Sequence, residues 1–199
     1  MKKLVLVLVS FIFILKLSYA STYSSDPEML VSELVNDAIS KLSDKNLNIE
    51  EKEAFIENIA IENVDINALG LYTLGELRKS TDKNTLENYQ QAFKKYFLKS
   101  LTSRLTDYSS NKFEIISAEK KSSNYTIVKS KISENDSQPE IKIDWRIYTK
   151  NPDKPLIRDL IVEGLSLART QKEEFASILS SNNNDINILI AKLEEFINK

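Results

Sequence analysis

The chain reads as an α+β protein, a four-stranded antiparallel sheet packed under several helices. Three observations predict it. Apolar residues recur at helical spacing in the first and last parts of the sequence, and four short β-branched runs lie between them. Those runs are joined by short polar connections, at Lys120–Ser123, Ser133–Pro139 and Asn151–Pro155. A parallel crossover needs about a dozen residues or more, so a meander is the economical topology.

Residues 1–20 read as an export signal outside the fold. Met1-Lys2-Lys3 is a positive start, Leu4 to Leu15 is nearly all apolar, and Leu17-Ser18-Tyr19-Ala20 offers small residues where a signal peptidase reads. Lys16 cuts the apolar run short of the roughly 20 residues that a membrane span needs. The chain has no cysteine, which excludes a lipid attached at a lipobox and any disulfide framework. Removing Lys2, Lys3 and Lys16 from the 27 Lys and Arg leaves 24 against 29 Asp and Glu, a net charge of −5. Nucleic acid is therefore excluded as a partner, since phosphate binding needs a basic face. Abundant Lys, Asn, Ile and Ser with few Gly and Pro suggests an AT-rich bacterial genome, and with the export signal this points to the periplasm. The remaining 179 of 199 residues form one domain, 21–199, that must be held by an ordinary apolar core.

After a loose tail at Ser21–Ser25, Asp26 caps a helix with Pro27 at its first position and Glu28 in its first turn. Leu30, Val31, Leu34, Val35, Ala38, Ile39 and Leu42 form its apolar stripe. Asn48 with Glu51 opens a second helix, and a short helical piece runs from Asp65 to Leu74-Gly75. The longest helix runs from about Thr85 to Tyr108, with Leu86, Tyr89, Phe93, Phe97, Leu101, Leu105 and Tyr108 on one face.

Strands follow at Lys112–Glu119, Asn124–Ile132, Glu140–Lys150 and Leu156–Glu163. The third alternates, with Ile141, Ile143, Trp145 and Ile147 on one side and Lys142, Asp144, Arg146 and Tyr148 on the other. The stretch VEGLSLARTQKEEF (Val162–Phe175) joins the last strand to a helix through Gly164, one of only three glycines. Thr170 and Glu173 stand at capping-box spacing to open that helix. A final helix starts at Asp185, with Leu189, Ile190, Leu193, Phe196 and Ile197 inward.

The missing residue types exclude much chemistry. Without His or Cys there is no Cys/His zinc site, no Ser-His-Asp triad and no cysteine nucleophile. No glycine-rich phosphate loop or EF-hand loop is present. The strand carboxylates Asp144, Asp159 and Glu163 leave a paired-carboxylate hydrolase formally open, although Asp144 sits in a solvated ladder and Asp159 has a salt-bridge neighbour in Arg158. What stands out is apolar payload on two surfaces. One sheet face offers Ile127, Ile143, Trp145, Ile147, Leu160 and Val162, and helices bring Phe93, Phe97, Leu101, Leu105 and Tyr108 to face it. Such a pair of surfaces can close into a solid core or splay around an apolar ligand, and the pattern alone does not separate the two.

From Asp65 onward the chain resembles the MlaC family of lipid carriers, also called the toluene-tolerance family of auxiliary ABC-transporter proteins. The resemblance rests on Leu74-Gly75 followed by LRKST and YQQAFKKYFLKSLTSRLTDY, on PEIKIDWRIY (Pro139–Tyr148), and on RDLIVEGLSL with ARTQKEEF. It covers about 130 residues, the matched segments being colinear with the family's. Glu76-Leu77-Arg78 departs from the aromatic residues usual after the leucine-glycine pair, and residues 26–64 match only in helical character.

The resemblance implies a curved antiparallel sheet under helices, enclosing an apolar pocket. It implies a periplasmic protein that is not an enzyme, needs no cofactor or metal, and carries one phospholipid as cargo between the outer and inner membranes. Its partners would be an outer-membrane lipoprotein complex and an inner-membrane ABC transporter complex, where ATP hydrolysis occurs. By position in the matching segments, the expected lipid contacts are Phe93, Phe97, Leu101, Leu105 and Tyr108 on the helix, and Ile127, Ile143, Trp145, Ile147, Leu160, Val162 and Leu165 on the sheet side. Leu165, beside Gly164, would stand at the pocket mouth. A protein-docking module that holds no lipid is the alternative on the same scaffold.

Overall fold

A computed structural model describes residues 23–106, 112–133 and 139–199; the expected export segment, 1–20, lies outside them. Helix α1 (Pro27–Ser43) begins as its sequence dictates, the Asp26 carboxylate accepting from the backbone N–H groups of Glu28 and Met29, each at 3.0 Å. The residues just before it are not loose. Tyr23 donates its hydroxyl to Asp37 at 2.8 Å and the Ser24 N–H donates to Glu33 at 2.8 Å, strapping this segment along α1. Helix α2 (Ile49–Asn63) opens with the Asn48–Glu51 capping box, and α3 (Ile66–Thr73) is capped by Asp65 before a 3-10 turn at Gly75–Lys79. Helix α4 (Lys83–Leu105) starts two residues before Thr85 because Asp82 accepts from the Thr85 N–H at 3.0 Å.

Among the described residues the sheet has five strands rather than four: β1 (Lys112–Ser122), β2 (Tyr125–Ser133), β3 (Ile141–Tyr148), β4 (Leu156–Val162) and β5 (Leu165–Ser166). They pair antiparallel in sequence order, the expected meander with one strand added. The extra strand follows from the turn. Glu163 and Gly164 have φ of 49° and 82°, the doubly left-handed conformation of a two-residue hairpin whose twist matches its strands. The chain therefore folds back on β4 before it enters a helix.

That helix, α5 (Leu167–Ser180), also starts earlier than the Thr170–Glu173 pair suggested. Ser166 caps it, its Oγ accepting from the Arg169 N–H at 3.1 Å, while Thr170 donates back to the Ser166 carbonyl. Helix α6 (Ile186–Ile197) begins after Asp185 as expected, although Phe196 is partly exposed against Tyr96 rather than inward.

Two apolar cores result. Helix α1 lays Leu30, Val31, Leu34 and Val35 on Val128, Trp145, Ile147 and Ile157 of the sheet. Helices α2 to α6 form the other core around Tyr89, Phe93, Phe175, Leu179 and Leu189. In that cluster Phe93 meets Phe175 edge-on at 6.2 Å, and Gly70 lets it approach: a Cβ there would stand 2.9 Å from the Phe93 ring. Val64 packs against both cores.

Beside Val64, Asp65 and Arg158 tie the helices to the sheet. Val64 pairs with Ile157, the Asp65 N–H donates to the Ile157 carbonyl at 2.9 Å, and Arg158 holds the Asp65 carboxylate at 2.7 Å while stacking on Tyr148. Arg158 is free to do this because it is the extra residue of a β-bulge, Ile147 pairing with Ile157 and Arg146 with Asp159.

Candidate functional site: an open apolar corner of the sheet

Residues directly opposite on neighbouring strands share a face, so the register assigns every side chain. On the inner face, toward α1, lie Ile141, Ile143, Trp145 and Ile147 of β3. Beside them are Thr126, Val128, Ser130 and Ile132 of β2, Ile157, Leu160 and Val162 of β4, and Leu165 of β5. Ile127 does not join this face, contrary to the sequence expectation. It pairs with Arg146 and Glu119 and lies on the outer face, and Val128 takes the inner position.

Cover over this face is uneven. Helix α1 contacts β1 and β2, and beneath it Val128 and Ile147 are 0% exposed. Toward the β4–β5 hairpin the same face emerges. Ile143, Leu160 and Val162 are only partly buried, Ile141 is 39% exposed and Leu165 is 69% exposed. This apolar corner lies beyond the cover of α1, on the sheet whose β4 adjoins α3 and α5. A sheet face of this composition left open at one end is a surface on which apolar chains can lie.

The polar groups around it are satisfied. The Trp145 indole N–H donates to Ser130 Oγ at 2.9 Å, and the Ser130 hydroxyl donates to the Ile143 carbonyl at 3.1 Å. Asp159, 4% exposed, points to the outer side, where it accepts from Ser166 Oγ at 2.7 Å and from the Ala168 N–H at 3.0 Å. It fastens the start of α5 to β4, and Arg158 turns to Asp65 instead of to it. Glu163 accepts from the backbone N–H of Lys142. Of the carboxylates singled out in the sequence, Asp159 thus serves the helix start and Glu163 the hairpin. Among the described residues no group of three or more carboxylates is placed to hold a metal ion, and no helix is long and apolar enough to cross a membrane.

The helical half of the expected site sits elsewhere. Phe93 is buried in the helical core, where Phe97 and Leu101 pack against it, and α4 meets α6, α3 and α2 rather than the sheet. Leu105 is partly buried at the end of α4, and Tyr108 lies outside the described residues. The structure thus groups Ile143, Trp145, Leu160, Val162 and Leu165 at one corner, and places Ile147 under α1. Sequence reasoning missed Val128, Ser130 and Ile157. For β2 the signal was present: Lys129 and Lys131 share the parity of Ile127, which marks that side as the wet one. An open groove between α4 and α6 is lined mostly by polar residues, among them Asn88, Gln91, Lys95, Asn187 and Glu194, with Ala92, Ile190 and Ile197 as its apolar part.

The fold and the corner together define an α+β meander roofed by helices, with an apolar inner face left open at one end. A family model described as MlaC protein matches residues 32–195, and the chain belongs to the MlaC family. Seven chains of solved structures match. One is a phospholipid-binding protein from Ralstonia solanacearum, solved in complex with a phospholipid; it superposes with a TM-score of 0.70 at 18% identity, over 84% of this chain and 94% of that one. At that identity the likeness is one of fold. No curated protein matches the chain.

Proposed function

We propose that this protein binds one phospholipid and carries it through the periplasm between the outer and inner membranes, exported by residues 1–20. On this reading it receives or delivers the lipid at an outer-membrane lipoprotein complex and an inner-membrane ABC transporter complex, and performs no chemistry of its own. The observation that carries the reading is the open corner, where Ile143, Leu160, Val162 and Leu165 continue the apolar face of a sealed core into solvent. Membership of the MlaC family supports it, and so does the phospholipid bound to the Ralstonia protein of like fold.

The energetics set what such a carrier must do. Two acyl chains hold about 30 methylenes, and at ~0.8 kcal/mol each their exposure to water costs on the order of 20 kcal/mol. The chains must be enclosed, whereas the polar headgroup can remain wet. In this reading the chains lie against Ile143, Trp145, Leu160 and Val162, with Leu165 at the mouth. Lipid extraction and mass spectrometry of protein purified from the periplasm tests it. Phospholipid near one per protein is the expected result; protein free of lipid would favour a docking module on the same fold.

A further inference from the structure

We propose that Trp145 is the depth stop of the lipid site, so that its indole sets the acyl-chain length the protein prefers. This rests on the phospholipid-carrier reading and adds to it a selection rule. Along β3 the inner-face residues run from open to sealed. Ile141 is 39% exposed, Ile143 is partly buried, Trp145 is 8% exposed, and Ile147 beyond it is 0% exposed. Trp145 is the step at which the exposed corner ends.

Its ring is placed to act as a wall. Trp145 lies opposite Val128, but its N–H reaches diagonally to Ser130, which pairs with Ile143 one step nearer the mouth. The indole therefore leans across β2 toward the open corner. On its other side it packs in the core formed by α1, Val128 and Ile147. Ser130 is 1% exposed and its hydroxyl is itself anchored on the Ile143 carbonyl, so the ring is held by a buried relay as well as by packing. A ring that swung aside would leave the buried indole N–H without its acceptor.

The geometry gives the scale. Four residues of strand separate Ile141 from Trp145, a run of ~13 Å, and one further inward-facing residue adds ~7 Å. Space released by a smaller side chain at position 145 would admit more of each chain. Every additional methylene taken from water would raise affinity about fourfold.

The test is a competition among saturated phosphatidylglycerols differing only in chain length, with bound species read by native mass spectrometry. Wild type is compared with Trp145→Leu and Trp145→Phe, the second retaining an aromatic ring where the first does not fold. The inference expects the preferred length to move to longer chains in the leucine variant, with a smaller move for phenylalanine. An unchanged length profile in the folded variants, with lipid bound as in wild type, would overturn the depth stop and leave the carrier reading standing. Wild-type protein that takes up none of the lipids would overturn the carrier reading, and the depth stop with it.

Discussion

Asp159→Ala should cost more stability than any surface carboxylate, because this side chain joins the edge of the sheet to the helix that follows it. The carboxylate is buried, accepts from the Ser166 hydroxyl at 2.7 Å and from the Ala168 N–H at 3.0 Å, and stands 3.7 Å from a half-exposed Arg146. Hydrogen bonds to a charged acceptor contribute ~1.5–3 kcal/mol each. The freed Ser166 hydroxyl can rotate to another acceptor, and the exposed arginine contributes little. The sum is about 3 kcal/mol. For a domain of this size 1 kcal/mol moves Tm by ~2–4 °C, so the variant should melt about 6–12 °C lower. Asp159→Asn keeps an acceptor for the Ala168 N–H and should lose about half as much. Thermal melts followed by circular dichroism measure both. A drop below ~2 °C for the alanine variant, or equal losses in the two, would refute the claim that this residue fastens α5.

Other expectations follow from the same contacts. Leu165→Asp changes a side chain that is 69% exposed, so its melt should stay within ~0.5 kcal/mol of wild type while co-purified phospholipid falls sharply; retention of lipid at the wild-type ratio would remove Leu165 from the site. Gly70→Ala places a methyl 2.9 Å from the Phe93 ring and should destabilise by ~1–3 kcal/mol in denaturant titrations, an effect that Phe93→Leu should relieve. Burial pushes the phenols of Tyr89, Tyr96 and Tyr23 above the usual tyrosine range, and the hydrogen bond to Asp37 adds to the effect at Tyr23. Because the fold favours the neutral phenol, the stability these groups contribute is complete below about pH 10 and is lost as the pH rises toward their folded-state values. Tyrosinate absorbance should therefore show a late-titrating component that Tyr89→Phe reduces without abolishing; a single transition near pH 10 would contradict this.

Much of the fold was legible because its signals are local. Asp26-Pro27, the Asn48–Glu51 pair and Asp185 each mark a helix start within four residues, and the alternation of Ile141 to Tyr148 gives its strand two faces without further information. The start of α5 was not legible at Thr170 because Ser166, four residues earlier, is the cap, and Asp159, seven residues before Ser166, fixes it there by reaching across the hairpin. The fifth strand was hidden for a related reason. Glu163 adopts a positive φ that its residue type does not announce, although Gly164 beside it marked a sharp bend.

The apolar corner proposed as the site was half legible. Ile143, Trp145, Leu160 and Val162 fall together because β3 and β4 alternate cleanly toward the hairpin. Ile157 escaped because a bulge reverses the parity of β4 at Arg158, and a bulge leaves no mark in a run such as LIRDLIV. The aromatic stripe of α4 looked suited to face the sheet, yet periodicity only says that a face is buried, not against what. It is buried by α2, α3, α5 and α6, through contacts such as Phe93 on Phe175 and Tyr96 on Phe196. The element that does cover the sheet is α1, whose Leu30, Val31, Leu34 and Val35 form a stripe that periodicity marks without naming the surface it covers.

The most direct test of the account is a crystal structure of the protein purified with its native ligand. Two lengths of acyl-chain density are expected against Ile143, Leu160 and Val162, ending at the Trp145 indole, with a headgroup beyond Leu165. A corner closed by the protein's own side chains, with any bound lipid lying elsewhere, would contradict it.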